Sequence, residues 1–290
     1  RWLSDWSSDV CSSDLVDLNR YQVVILANLR PFARFSDGRV QPFKQWLWRR
    51  VHASPLQRFA LRSEVAWAKL WRRRLRGYRG YVIKSERDVH PCVYRDGRCL
   101  EMSPLRLVDC GASRVVAREF ERLYNLCDAV QFLSPLHRRA VNTMLRIDVP
   151  QYEIAPPLDL DRFRDFTPFE RRKHAALITG DAIRESPGAE RRAREAGYPV
   201  ERLPYLSVPY ARMPEVLNQY RAVVVDPVML HAFGRLAAEA LACGCRVLAS
   251  DRVGALSWPD PLEACRESNA RFWRMATTLP AYPNPRRLGK

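Results

Sequence analysis

Between Val223 and Leu256 the chain reads VVVDPVMLHAFGRLAAEALACGCRVLASDRVGAL, and His231, Gly234 and Glu239 within it are residues suited to handling phosphate and hydroxyl groups. Val223, Val224 and Val225 form a β-branched apolar run suited to a buried parallel strand. His231-Ala232-Phe233-Gly234 makes a tight loop. Arg235 to Cys243 has helical periodicity, with Leu236, Ala237, Ala240 and Leu241 on one face, and Gly244 stands where a helix stops. Cys245 to Ala249 reads as the next strand. In such a unit the loop lies at the carboxyl end of a strand. The helix N-terminus then points unpaired N–H groups into the crevice, a setting that suits an anion and most often phosphate. Gly234 allows the backbone to approach such a group closely. Spacing alone leaves Glu239 two readings: a ligand-binding carboxylate, or a surface partner of Arg235 four residues earlier.

These residues resemble the nucleotide-sugar signature of retaining GT-B glycosyltransferases, especially glycosyltransferase family 4. That signature has a Glu, a Phe-Gly turn, a second Glu eight positions after the first, then Ala-x-Ala-x-Gly and an apolar strand. Phe233, Gly234, Glu239, Ala240, Ala242, Gly244, Val247, Ala249 and Gly254 fit it, whereas His231 occupies the place of the first carboxylate. The resemblance implies an α/β fold of GT-B type, with two Rossmann-like domains whose parallel sheets face a cleft. It implies transfer of a hexose from a nucleotide-sugar donor to a glycan or lipid-linked acceptor, with retention, by front-face attack on an oxocarbenium-like centre. Phe233 and Gly234, with the N–H groups of Arg235 and Leu236, would then meet the diphosphate. Glu239 would accept hydrogen bonds from both ribose hydroxyls, and His231 would contact the transferred sugar. No cofactor and no metal is implied, because helix N-termini and basic side chains can neutralise the departing diphosphate.

Two further stretches bear on that chemistry. In Ile178 to Gly188, ITGDAIRESPG, the family has an Arg and a Lys that bind the diphosphate. Asp181 and Pro187 fill those nominal places here, and Arg184 is the nearest basic substitute. Glu86 to Cys92, ERDVHPC, resembles the family's His-Asp loop at the cleft; Asp88 aligns, Arg87 replaces the His, and His90 follows two residues on. Asp88 and His90 are therefore the catalytic candidates from the first half, beside His231 from the second. The altered positions also leave open a non-catalytic nucleotide- or glycan-binding relative. Charge alone raises a third reading, a basic nucleic-acid-binding protein.

Those candidates need a scaffold. The chain has 290 residues, 47% of them apolar, which is length for two modest domains with real cores. Residues 5–15, DWSSDVCSSDL, resemble the conceptual translation of a sequencing adapter. Residues 1–15 are accordingly set aside as artefactual, and the gene is expected to continue upstream with a truncated first domain. A domain boundary is expected at 160/161, giving an incomplete acceptor-side Rossmann-like domain over 16–160. A donor domain with terminal helices would then occupy 161–290. Tyr21–Ala27, Tyr81–Lys84, Ala129–Leu133, Tyr152–Ala155, Ala175–Thr179, Pro204–Val208 and Val223–Val225 read as strands. Helices are expected within Gln41–Arg76, with a break near Ser54-Pro55. Others are expected over Ala112–Asn125, over Pro135–Leu145 capped by Ser134, around Ala189–Ala196, over Met213–Tyr220 and within Leu262–Thr277. Asp159, Asp161 and Phe163 loosely echo a family motif that leads into the second domain.

Charge and cysteine content set the surroundings. The formal net charge is +16, concentrated between Phe43 and Arg79, where Trp46, Trp48, Trp67 and Trp71 interleave with arginines. Such a stretch suits a solvated helical face or an anionic membrane surface, and nucleic acid less well. The resulting expectation is a cytoplasmic protein, docked peripherally at the inner face of the membrane if the surface reading holds. Of eight cysteines, Cys11 lies in the adapter-like stretch, and the odd, irregularly spaced remainder reads as reduced thiols. Cys92, Cys99 and Cys110 with His90 lack a CxxC pair, which argues against zinc.

Overall fold

A computed structural model describes residues 22–26, 56–89, 100–102, 105–107, 111–179, 188–204, 207–279 and 283–287. The adapter-like segment, the tryptophans at 46 and 48, Arg184 and His90 lie outside the described residues, as do Cys92, Cys99 and Cys110. The architecture is α/β with two parallel four-stranded sheets and one small antiparallel hairpin.

The first sheet is built from β1 (Val23–Leu26), β2 (Tyr81–Ser85), β5 (Ala129–Phe132) and β6 (Gln151–Glu153), in that spatial order. The hairpin β3 (Leu100–Met102) and β4 (Leu105–Leu107) intervenes in sequence. Helices α1 (Leu56–Leu75), α2 (Gly111–Tyr124) and α3 (Pro135–Met144) separate the sheet strands. Side chains alternate faces along each strand. Val82, Val130 and Phe132 therefore share one core with Ala68, Phe120 and Ala140 from the three helices, while Ile83 faces the other way.

The second sheet takes the order β10, β9, β7, β8 from β7 (Lys173–Thr179), β8 (Val200–Leu203), β9 (Tyr220–Val225) and β10 (Arg246–Ala249). Its helices are α4 (Ala189–Glu195), α5 (Met213–Leu217) and α6 (Arg235–Ala242). Ala176, Ile178, Ala222 and Val224 pack against α4 through Ala189 and Ala193. Leu177, Val223 and Val225 pack on the opposite face with Ala237 and Ala240 of α6.

The chain ends by returning to the first sheet. After α7 (Pro261–Arg266), helix α8 (Ser268–Thr277) places Met275 against Ile83 and Ile154. Asn284 then donates its N–H to Asp128 Oδ1 at 2.6 Å and its amide to the Cys127 carbonyl at 2.7 Å. Arg287 is fully buried and donates to Asp128 Oδ2 at 2.9 Å, to the Leu126 carbonyl at 2.6 Å and to the Gly80 carbonyl at 2.7 Å.

The structure corrects three local expectations. Of the strand expected at Pro204–Val208, Tyr205 and Leu206 lie outside the described residues, and Pro204, Ser207 and Val208 are not in a strand; the strand in this region is Val200–Leu203, paired from Val200 with Ala176. Pro204, which has no N–H to give a ladder, follows its end. The helix expected through Tyr220 stops at Leu217, because Tyr220 already pairs in β9. The buried arc of α6 comprises Ala237, Ala238, Glu239 and Ala240, so a carboxylate takes the place expected for Leu241. The hairpin β3–β4 had no counterpart in the sequence reading. Among the described residues, no helix is long and apolar enough to cross a membrane.

Candidate functional site

Gly234 is the N-cap of α6 and adopts φ +81°, a left-handed conformation that costs an L-residue about 1–2 kcal/mol. A β-carbon there would also lie 3.0 Å from Val253 Cγ1, tighter than ordinary packing. Gly234→Ala is therefore expected to destabilise the fold by about 1–2 kcal/mol, read as a lowered denaturation midpoint in urea with an unchanged slope. Beyond the glycine, the N–H groups of Arg235 and Leu236 make no hydrogen bond among the described residues. Ala237 donates to the Gly234 carbonyl at 3.0 Å, so the helix proper begins there. These free donors point from the end of a helix that starts after β9, at the carboxyl edge of a parallel sheet.

The other helix start in this region is closed. Ser134 caps α3 by accepting from the His137 N–H at 3.1 Å, as its position in the sequence suggested. The Leu136 N–H goes to Ser257 Oγ at 3.0 Å, and the Arg138 N–H goes to the Ser134 carbonyl at 3.0 Å. Only α6, of these two, keeps donors for an anion.

Glu239 lies on α6 and is 5% exposed. Its Oε1 accepts from the Tyr210 hydroxyl at 3.0 Å and lies 3.4 Å from Arg235 Nε. Oε2 takes no hydrogen bond among the described residues. Glu239 pairs with Arg235, as one reading of the spacing expects, yet it is buried rather than on the surface. Burial pushes its carboxyl above the usual range, against the opposing pull of Tyr210 and Arg235. The Arg235 guanidinium donates to the Tyr210 hydroxyl at 2.7 Å and lies over its ring at 5.5 Å. Tyr210 packs on Phe163, with ring centroids 5.3 Å apart, and remains 47% exposed. Tyr210 was missed in the sequence, since 29 residues separate it from Glu239 and nothing local marks the pairing.

Behind the helix, Arg172 is buried and donates to the Cys243 carbonyl at 2.7 Å, placing positive charge at the negative end of α6. Its other donors go to the Thr167 carbonyl and to Asp165, at 2.8 and 2.5 Å. Cys243 and Cys245 are free, and burial pushes their thiols up to about 12 and about 11, so both are protonated at neutral pH. Cys127 and Cys265 are also free and buried.

Phe233 is buried in the second core, and Leu236 packs at its margin. The loop that carries them is stapled to the loop after β10: the His231 N–H donates to the Arg252 carbonyl at 2.9 Å, and the Gly254 N–H donates to the His231 carbonyl at 3.0 Å. A side chain at Gly254 would overlap the Ala232 carbonyl and the Ser134 hydroxyl, which explains the glycine of the motif. Ser134 in turn donates to the Ala232 carbonyl at 2.6 Å. Leu230 enters the first core, and Trp258 Nε1 donates to the Leu133 carbonyl at 3.3 Å. The carboxyl edges of the two sheets thus meet at the His231 loop.

Asp88 belongs to the loop after β2, and its carbonyl accepts from His137 Nε2 at 2.9 Å. The loop rises from a buried charged cluster in which Lys84 Nζ lies 2.8 Å from Glu86, with Tyr124 donating to the same carboxylate oxygen. Asp88 and His231 therefore flank the N-terminus of α3 from opposite sheets. Among the described residues, no three His, Cys, Asp or Glu side chains form a set that could hold a metal ion.

No protein-family model matches this sequence. No curated protein matches it either. Among solved structures, sucrose-phosphate synthase from Thermosynechococcus elongatus is similar at a TM-score of 0.44 and 15% identity, over 91% of this chain and 66% of that one. This chain therefore spans slightly less than two thirds of the synthase. HepE from Anabaena in complex with UDP and glucose is similar at a TM-score of 0.43 and 14% identity, covering 94% and 88% of the two chains. The HepE complex with UDP-glucose gives 0.42 and 14%, covering 96% and 89%. Similarity at this level assigns neither substrate nor reaction.

Proposed function

We propose that this chain is a glycosyltransferase of GT-B type, taking a hexose from a nucleotide-sugar donor to a glycan or lipid-linked acceptor with retention of configuration. The observation that carries the reading is the pairing, on one short helix, of the buried carboxylate of Glu239 with two N–H groups that make no hydrogen bond among the described residues. The diphosphate would sit at Gly234, Arg235 and Leu236, where the helix dipole and the backbone donors favour negative charge. Glu239 Oε2 would accept from the ribose. A carboxylate held in a dry site is a strong acceptor, and a hydrogen bond to it is worth about 1.5–3 kcal/mol. His231 would offer an imidazole to the transferred sugar, with Asp88 approaching from the first sheet. Diphosphate stabilisation is assigned to the helix end and basic side chains, so the reaction needs no metal. Arg184 and His90 complete the proposed set from the sequence.

A second reading, a relative that binds nucleotide without turnover, is favoured by one observation: His231 stands where a carboxylate is expected, and its backbone is bonded on both sides into a rigid loop. Release of nucleoside diphosphate from a panel of nucleotide sugars separates the two. Turnover with a sugar acceptor supports the transferase. Tight nucleotide binding with no release from any donor supports the binding relative.

A further inference from the structure

His137, on the capped helix α3, is fully buried and uses both ring nitrogens. The Leu133 N–H donates to Nδ1 at 3.3 Å, which leaves Nδ1 without a proton. Nε2 therefore carries the hydrogen and donates to the Asp88 carbonyl at 2.9 Å. The ring also meets Phe132 edge-on, with centroids 5.5 Å apart. At its backbone, the His137 N–H donates to Ser134 Oγ, and that hydroxyl donates onward to the Ala232 carbonyl at 2.6 Å. His137 thus holds the Asp88 loop, which follows β2 of the first sheet, through its ring, and Ser134 through its backbone N–H, and Ser134 holds the residue beside His231, in the loop that follows β9 of the second.

A buried imidazole is a costly way to fill space, and an apolar side chain would pack there without needing partners. What the imidazole adds is direction: one donor and one acceptor, fixed by the neutral tautomer, at the joint between two loops. We propose that His137 is a positioning residue that, through Ser134, holds the Asp88 loop and the His231 loop in a single register, so that groups from the two sheets present themselves to one ligand. This rests on the transferase reading for its purpose, but the coupling itself requires no turnover.

The test is amide hydrogen exchange on the whole chain. His137→Phe keeps the ring and its packing on Phe132 and removes both nitrogens. Exchange is expected to rise about tenfold in residues 86–89 and also in residues 230–236, consistent with coupling carried through a packed network. Ser134→Ala is expected to loosen residues 230–236, and the double variant is expected to add little to the larger single effect. His137→Gln, which retains an amide donor for the Asp88 carbonyl, is expected to restore protection in both loops. Loosening confined to residues 86–89, with 230–236 unchanged, overturns the proposal. Where His137→Phe unfolds the protein, the glutamine variant decides alone: both loops protected supports the relay, and loss in the first loop with the second intact overturns it. If turnover is found, His137→Phe is expected to lower kcat about tenfold with little change in KM. If the wild-type chain binds no nucleotide, the transferase reading fails while the exchange result still stands.

Discussion

Replacing Arg287 with leucine is expected to lower the unfolding free energy by about 3–5 kcal/mol, the cost of stripping the partner from a buried charge. Asp128 and Arg287 are both fully buried, 2.9 Å apart. Asp128 also accepts from the Val82 N–H and the Asn284 N–H, both at 2.6 Å, so its charge is built into the start of β2 and into the returning C-terminal segment. Leucine would leave that carboxylate with neutral donors only, and would orphan the Leu126 and Gly80 carbonyls that Arg287 satisfies. Since natural domains are stable by only about 5–15 kcal/mol, the loss is large. Urea denaturation followed by tryptophan fluorescence gives the value; a loss under about 1 kcal/mol would mean that the segment over 283–287 contributes little to holding the first sheet.

Lys84→Met is expected to be nearly as damaging, again by about 3–5 kcal/mol. Lys84 and Glu86 are fully buried, and the lysine lies 5.4 Å from the centre of the Tyr124 ring. Its ammonium also donates to the Ser85 carbonyl at 2.9 Å. Methionine fills similar volume but takes the ammonium away from a fully buried carboxyl group that also accepts from the Tyr124 hydroxyl. Adding Glu86→Gln to Lys84→Met removes the stranded charge and is expected to recover much of the loss, since replacing a buried pair costs far less than breaking one. Equal instability of the single and double variants would contradict this electrostatic origin. Because the cluster roots the Asp88 loop, the single variant is also expected to loosen one wall of the candidate site.

What local patterning could reveal, it revealed. The valines of β9, the helix from Arg235 and the stop at Gly244, where φ is +72°, follow from side-chain type and short-range geometry. So does Ser134, whose capping role needs only the three residues that follow it. The failures have one physical source, contacts between residues remote in sequence. Val200–Leu203 is a strand because it lies beside β7, and its mixed composition gave no sign of it. Tyr210 reaches Glu239 across the sheet edge, and His137 finds its role only when the loop after β2 arrives above it. Arg287 is an arginine near a basic C-terminus in the sequence and a buried keystone of the first sheet in the structure. Glu239 is the intermediate case: spacing found its partner Arg235, but only the fold shows that the carboxylate is buried.

Glu239 gives the most direct measurement. Calorimetric titration of the chain with UDP, GDP and ADP is expected to find one that binds, and Glu239→Ala is expected to weaken it at least about tenfold, which is about 1.4 kcal/mol. The pH dependence has a definite sign. Burial raises the Glu239 pKa, so the ionised acceptor is lost on acidification at a pH above that of an ordinary glutamate, and affinity should fall there in the wild type but not in the alanine variant. For folding the sign is opposite: the protonated group favours the native state at low pH, and that contribution disappears as pH rises through its folded pKa. Tighter binding to wild type than to Glu239→Ala, with that pH signature, supports a nucleotide seated on α6. Equal affinity for the two proteins, or no binding of any nucleoside diphosphate, contradicts it.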